Sequence, residues 1–170
     1  MAPKVQALDQ SHEVKTFDCG VPVLNTWLHS TAMQHQKNGM SKTFVITDES
    51  QPAQIAAFVT LAIRTLTPAS ELPLVLQKKL PRQVPGFTLA RLAVSRTHQG
   101  KRLGEFLLME AMERVWRASQ SVGGFALFVD AKDGAASFCE KYGFVTFPDD
   151  PDTLVFPIAS MPSFPTRDPD

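Results

Sequence analysis

Cysteine, tyrosine and long apolar runs are all scarce in this chain. Two cysteines occur in 170 residues, Cys19 and Cys139, far apart and outside any ligand cluster. That excludes a disulfide framework and a cysteine-based metal site, and free thiols fit a cytoplasmic protein. His12, His29, His35 and His98 share no ligand spacing, so no metal is expected. The longest apolar run, Ile55 to Ile63, is nine residues with Thr60 inside it, too short to cross a bilayer. The N-terminus Met1-Ala2-Pro3-Lys4-Val5-Gln6 lacks the apolar core of a secretory leader. Neither G-x-x-x-x-G-K-[ST] nor G-x-G-x-x-G is present, and there is no G-x-S-x-G. These absences argue against the familiar nucleotide cradles and against a hydrolase.

An excess of one charge is missing too, with 17 basic and 17 acidic residues. A bulk nucleic-acid binder is therefore not expected, but the distribution is uneven. Lys78, Lys79, Arg82, Arg91, Arg96, Lys101 and Arg102 all fall between Leu72 and Gly104, where no acid occurs. From Asp149 onward, five aspartates stand against Arg167 alone. Such segregation suits either a middle section that meets a polyanion or a solvated basic face.

What is present is a soluble globular composition, 44% hydrophobic and 20% charged. A single domain of this length buries roughly 70% of its unfolded surface without staples. Residues 1–20 read as a short strand and loop. Val21 to Asn38 reads as a helix with Leu24, Trp27, Leu28 and Met33 on one face and Gly39 as its stop. Two β-rich segments, Lys42–Asp48 and Gln54–Leu66, flank the turn Glu49-Ser50-Gln51-Pro52 and predict a hairpin. Pro68 to Gly86 is proline-rich loop with a short helix near Val75–Leu80. A strand over 87–94 and a helix over 102–119 follow, with apolar residues at 103, 107, 111 and 115. The pairs Glu110→Arg114 and Glu113→Arg117 support that helix. Phe125–Asp130 predicts a buried strand, Lys132–Lys141 a helix closed by Gly143, and Phe144–Phe147 with Thr153–Ile158 a last hairpin. The segment 159–170 reads as a Pro-rich, mobile tail.

Between the strand 87–94 and the helix after it stands Gln99-Gly100-Lys101-Arg102-Leu103-Gly104. A helix that starts directly after a glycine turn presents unbonded N–H groups and the positive end of its dipole. Two glycines admit a phosphate to the backbone, and two cations sit beside it. The turn reads as a diphosphate cradle or, alone, as an ordinary strand–loop–helix connection with basic residues on its surface.

In order along the chain, Ala90-Arg-Leu-Ala-Val94, Gln99–Gly104, Phe128–Phe138 and Tyr142-Gly-Phe144 resemble the GNAT family of N-acetyltransferases. Phe17-Asp-Cys-Gly20, Leu24-Asn-Thr-Trp-Leu28, Gln34-His-Gln36 and Ser41-Lys-Thr-Phe-Val45 are similar to the acetyltransferase toxins of toxin–antitoxin pairs. The likeness covers residues 4 to 158. It implies an α/β (α+β) domain over residues 1–158, built on a twisted mixed sheet of six or seven strands flanked by helices. It implies acetyl-CoA as co-substrate, with no metal, and the amino group of aminoacyl-tRNA as acceptor. It also implies a ribbon-helix-helix antitoxin as partner; a homodimer is one open oligomeric state that the sequence does not decide. An acetyltransferase for small amines or proteins, and a CoA-binding module with weakened catalysis, are the alternative readings.

By the same resemblance, Leu92, Ala93 and Val94 supply the backbone beside pantetheine and the oxyanion donor. Gln99, Gly100, Lys101, Arg102, Leu103 and Gly104 hold the pyrophosphate, and Ser137 approaches CoA. Arg64 and Arg91, on β-rich segments, are candidates for substrate phosphate. Two departures stand out. Arg102 occupies a position where the family has Gly; it is harmless at negative φ and costly at positive φ. Cys139 replaces the tyrosine that serves as general acid, and Tyr142 follows three residues later. Cys139, with an ordinary thiol pKa near 8.5, is a candidate acid or a small buried hydrophobe; Tyr142 and water are the other proton sources. Trp27 and Trp116 read as core. His98 reads as an exposed loop histidine, with a CoA phosphate as its alternative partner.

Overall fold

Short β-branched and aromatic runs punctuated by Gly, Pro and Asp become strands, and the longer amphipathic runs become helices. The computed structural model describes residues 3–131 and 135–165. In chain order they form β1 (Val5–Ala7), α1 (Pro22–Thr26), a π-helical turn (Trp27–Thr31), α2 (Ala32–Lys37), β2 (Lys42–Thr47) and β3 (Ile55–Pro68). There follow β4 (Gln83–Val94), α3 (Leu103–Val122), β5 (Ala126–Asp130), α4 (Ala136–Glu140), β6 (Val145–Phe147) and β7 (Asp150–Pro157). The strands make a seven-stranded sheet in the order β1-β2-β3-β4-β5-β7-β6. A mixed sheet flanked by helices is the expected fold class.

The chain divides into two compact units, each made of two stretches: residues 1–63 with 88–111, and residues 64–87 with 112–170. In the first, β2 pairs antiparallel with β1 (Val5↔Ile46) and with β3 (Phe44↔Val59). Thr43 to Ile46 are all buried, so β2 reads as an unbroken inner run rather than an alternating one. Leu28 and Ala32, one helical turn apart, join Leu8, Phe17, Val45, Ile55, Phe58 and Ala93 in one apolar cluster.

The N-terminal motifs prove to be fasteners of this unit. The Asp18 carboxylate accepts from the Gly20 N–H (2.9 Å) and from Asn25 Nδ2 (3.0 Å). Asn25 Oδ1 in turn accepts from the Cys19 N–H (2.8 Å). Gly20 sits at φ +88°, a conformation that favours glycine. Gln36 donates to the Leu8 carbonyl (2.7 Å) and accepts from the Thr43 N–H (2.9 Å), stitching α2 to the ends of β1 and β2. Trp27, expected in the core, is half-buried; its indole N–H donates to Thr60 Oγ1 (3.2 Å).

In the second unit, β7 pairs antiparallel with both β5 (Phe128↔Val155) and β6 (Thr146↔Leu154). Leu72, Val84, Ala126, Phe128, Phe147 and Val155 are its core. Gly86 is required there: a Cβ would stand 2.6 Å from the Phe128 ring. The short helix expected near Val75–Leu80 is a single 3₁₀ turn, Leu74–Leu76. The strand expected over 87–94 starts earlier, at Gln83, despite Pro85. The helix expected over 132–141 is described as Ala136–Glu140; residues 132–134 lie outside the described residues. In residues 159–165, the start of the tail read as mobile, Met161 is buried and Phe164 lies 5.7 Å from the Trp116 ring, while the other five are exposed. The remainder, 166–170, lies outside the described residues.

Helix α3 has the stripe that its spacing predicts. Leu103, Leu107, Leu108, Ala111, Met112 and Val115 are all buried, and the Glu113–Arg117 pair closes at 2.7 Å.

Candidate active site

In the first unit, β4 ends at Val94, and a 3₁₀ turn (Arg96–His98) leads into Gln99. Gly100 follows at φ +84° and Arg102 at φ +60°, and α3 starts at Leu103. The Phe106 N–H reaches back to the Arg102 carbonyl (3.0 Å), so Arg102 is the residue that caps the helix. The N–H groups of the first turn after it have no acceptor within the helix and carry the positive end of its dipole. Lys101 and Arg102 are both exposed beside it. A Cβ at Gly100 would meet nothing within 4 Å, so the space over the turn is open. Of the two cases foreseen for Arg102, the left-handed one is realised, at a cost of about 1 kcal/mol relative to glycine.

His98 is not the exposed loop histidine that its sequence context suggests. It is 6% exposed, and its Nε2 lies 2.7 Å from Asp48 Oδ2. The partner comes from the far end of the β2–β3 hairpin, fifty residues away in sequence, and no local pattern announces it. The Ser50 hydroxyl, His98 and the Ser50 N–H together hold the Asp48 carboxyl well below the usual carboxylate range.

Leu92, Ala93 and Val94 form the last residues of β4, with Ala93 buried. Arg91 lies over Trp27, its guanidinium carbon 4.7 Å from the ring centre, and donates to the Ala90 carbonyl (2.8 Å). In the second unit, Arg64 is stacked on Phe128 at 4.5 Å and donates through Nε to Thr67 Oγ1 (2.9 Å). Burial lowers its pKa, against the pull of Asp130, Glu71 and Asp150. Both arginines are thus held by aromatic rings rather than free to sweep solvent.

The acid candidates also belong to the second unit. Cys139 is 3% exposed on α4, and burial pushes its thiol up to about 11. Ser137 is exposed on the same helix. Tyr142 lies just past α4, half-buried, with its ring edge-on to Phe138 at 5.2 Å, and its N–H donates to the Cys139 carbonyl (3.0 Å). Gly143, at φ +95°, ends the turn as predicted.

Most of the chain is similar to known proteins. The chain is 32% identical to a tRNA-acetylating toxin of Mycobacterium tuberculosis over 145 residues, 85% of each protein. It belongs to that family of GNAT toxins. Solved structures agree. AtaT complexed with acetyl-methionyl-tRNAfMet superposes with a TM-score of 0.85 at 30% identity, covering 94% of this chain and 96% of that one. A point mutant of KacT superposes with a TM-score of 0.85 at 28% identity, covering 92% and 95%. AtaTR bound with acetyl-CoA gives a TM-score of 0.79 at 30% identity, covering 92% and 94%. No protein-family model matches the sequence.

The two positions read from the sequence as departures, 102 and 139, have a plain physical description in the fold. Arg102 keeps the left-handed turn at a strain cost, and Cys139 is a buried thiol on an apolar helix face. Among the described residues, no cluster of His, Cys, Asp or Glu could hold a metal ion, and no helix is long and apolar enough to cross a membrane.

Proposed function

We propose that this protein moves the acetyl group of acetyl-CoA to the α-amino group of aminoacyl-tRNA, and so blocks translation as the toxin of a toxin–antitoxin pair. The reading rests on one observation above the rest: the Gln99–Gly104 turn at the head of a twenty-residue helix, in a chain that belongs to the tRNA-acetylating toxins. The amides of that turn and the cations Lys101 and Arg102 hold the diphosphate. Backbone N–H groups at Leu92–Val94 stabilise the oxyanion that forms as the amine attacks the thioester. The amine of an aminoacyl ester is largely uncharged near neutrality, so no dedicated base is needed. Holding the two reactants together supplies several kcal/mol of the acceleration.

The departing CoA thiolate needs a proton, and burial weighs against Cys139 as its source. A thiol raised to about 11 gives its proton to a thiolate of ordinary pKa near 8.5 at an uphill cost of about 3 kcal/mol. Tyr142 takes the role in this proposal, and Cys139 fills the core of its helix. The basic, acid-free stretch from Leu72 to Gly104 meets the tRNA backbone, with Arg64 and Arg91 as candidate phosphate contacts. The reaction belongs to the cytoplasm, where charged tRNA is found, and a ribbon-helix-helix antitoxin is the expected partner.

Incubation of the purified protein with acetyl-CoA and charged tRNA is expected to yield N-acetylaminoacyl-tRNA, with a rate that falls steeply as salt rises. Robust acetylation of a small amine with charged tRNA untouched would overturn the assignment of acceptor.

A further inference from the structure

The His98–Asp48 pair lies directly before the phosphate-binding turn, yet neither residue has a role in the chemistry described so far. Asp48 is fixed in the β2–β3 turn: its N–H donates to the Gln54 carbonyl (2.9 Å), and its Oδ1 accepts from the Ser50 N–H (2.8 Å) and hydroxyl (2.7 Å). Its second oxygen, Oδ2, faces His98 Nε2 at 2.7 Å. An ionised carboxylate only accepts, so Nε2 carries the hydrogen. His98 Nδ1 then faces Thr97 Oγ1 (3.1 Å), which faces Ser95 Oγ (3.2 Å). The 3₁₀ turn is closed by the His98 N–H donating to the Ser95 carbonyl (2.9 Å), and the Ser95 N–H ties it to Ala56 on β3 (2.8 Å).

The chain leaves His98 straight into Gln99. On this side the turn is not packed solidly, because Asp48, Ser50, His98, Lys101 and Leu103 line a cavity of about 690 Å³. A charge-assisted bond therefore braces it where apolar packing does not.

We infer that Asp48 and His98 are positioning residues for acetyl-CoA: their bond holds the amides of Gln99–Gly104 in the diphosphate-binding conformation before the nucleotide arrives. Pre-organisation of this kind strengthens binding by removing the ordering cost at the moment of association. It acts on nucleotide affinity and leaves the chemical step alone. The inference rests on the reading of that turn as the diphosphate site.

The test measures CoA affinity by calorimetry, together with KM for acetyl-CoA and kcat. His98→Ala is expected to raise the Kd for CoA and the KM for acetyl-CoA about ten-fold, with kcat at saturating acetyl-CoA within about two-fold. His98→Gln, whose amide can still donate to Asp48, restores most of the affinity, and Asp48→Ala repeats the loss seen in His98→Ala. His12→Ala is the control: His12 is a second buried histidine of the same unit, bonded to the Asp9 N–H (3.0 Å). That variant loses stability without a change in CoA affinity. Unchanged affinity in His98→Ala and Asp48→Ala overturns the positioning role. If His98→Ala does not fold, Asp48→Ala and His98→Gln carry the comparison. Absence of CoA binding by the wild-type chain sinks the reading of the turn itself, which is a different failure.

Discussion

The turn Gln99–Gly104 and the segment Phe138–Phe144 solve different problems with different materials. In the first, the groups proposed to bind the diphosphate are backbone amides, set by two left-handed residues and a helix start; side chains only add charge. In the second, the proposed acid is a side chain, and its chemistry depends on what surrounds it. A backbone device tolerates substitution wherever the conformation survives, which is why an arginine at φ +60° can stand at position 102. A side-chain device tolerates much less. The buried Cys139 thiol, at about 11, is poorly suited to return a proton to another thiolate.

The largest expected effect tests that contrast directly. Tyr142→Phe lowers kcat by about 10²-fold or more with KM for acetyl-CoA unchanged, whereas Cys139→Ala alters kcat only a few-fold. Steady-state kinetics with charged tRNA check both, and a reversed ranking makes Cys139 the acid. The next effect is a pH dependence of stability. Burial raises the Cys139 thiol from the ordinary thiol range to about 11. The folded state therefore holds its proton more tightly than the unfolded state. That stabilisation is complete below pH 9 and is lost as pH climbs through 11. The loss amounts to about 2 kcal/mol for the wild type and is absent in Cys139→Ala. Denaturant melts at pH 8, 9.5 and 11 measure it.

The glycines sharpen the same contrast. Gly143→Ala places a Cβ 2.9 Å from the Phe156 ring at φ +95°, and a loss of about 2 kcal/mol is expected in thermal unfolding. Gly100→Ala has open space around it, so it costs about 1 kcal/mol of backbone strain and shows mainly as weaker CoA binding. Smallest of all is Arg102→Gly. Relief of the left-handed arginine raises stability by about 0.5–1 kcal/mol, and the lost cation flattens the salt dependence of CoA binding. No gain in Tm would mean that the arginine is not strained.

Much of this was open to reading in the residues themselves. The stripe at 103, 107, 111 and 115 predicts a helix because burial on a helix recurs with its turn, and all four positions are buried. The hairpins and the stops at Gly39 and Gly143 follow from turn chemistry that is local in sequence. The early start of β4 at Gln83 did not show, because prolines nearby mimic a loop. The π-helical turn at Trp27–Thr31 carries no periodic mark of its own. His98 reads as exposed from its local sequence because burial of a loop residue depends on a partner fifty positions away.

Short-range rules, then, are enough to set the helices, the turns, the order of motifs and the family to which they belong, since each depends on neighbours within a few residues. Two facts needed the folded chain. The pairing of Asp48 with His98 and the burial that makes Cys139 a weak acid both arise between groups that only tertiary packing brings together or takes out of water. Proton affinity and bracing depend on surroundings, and surroundings are a property of the fold.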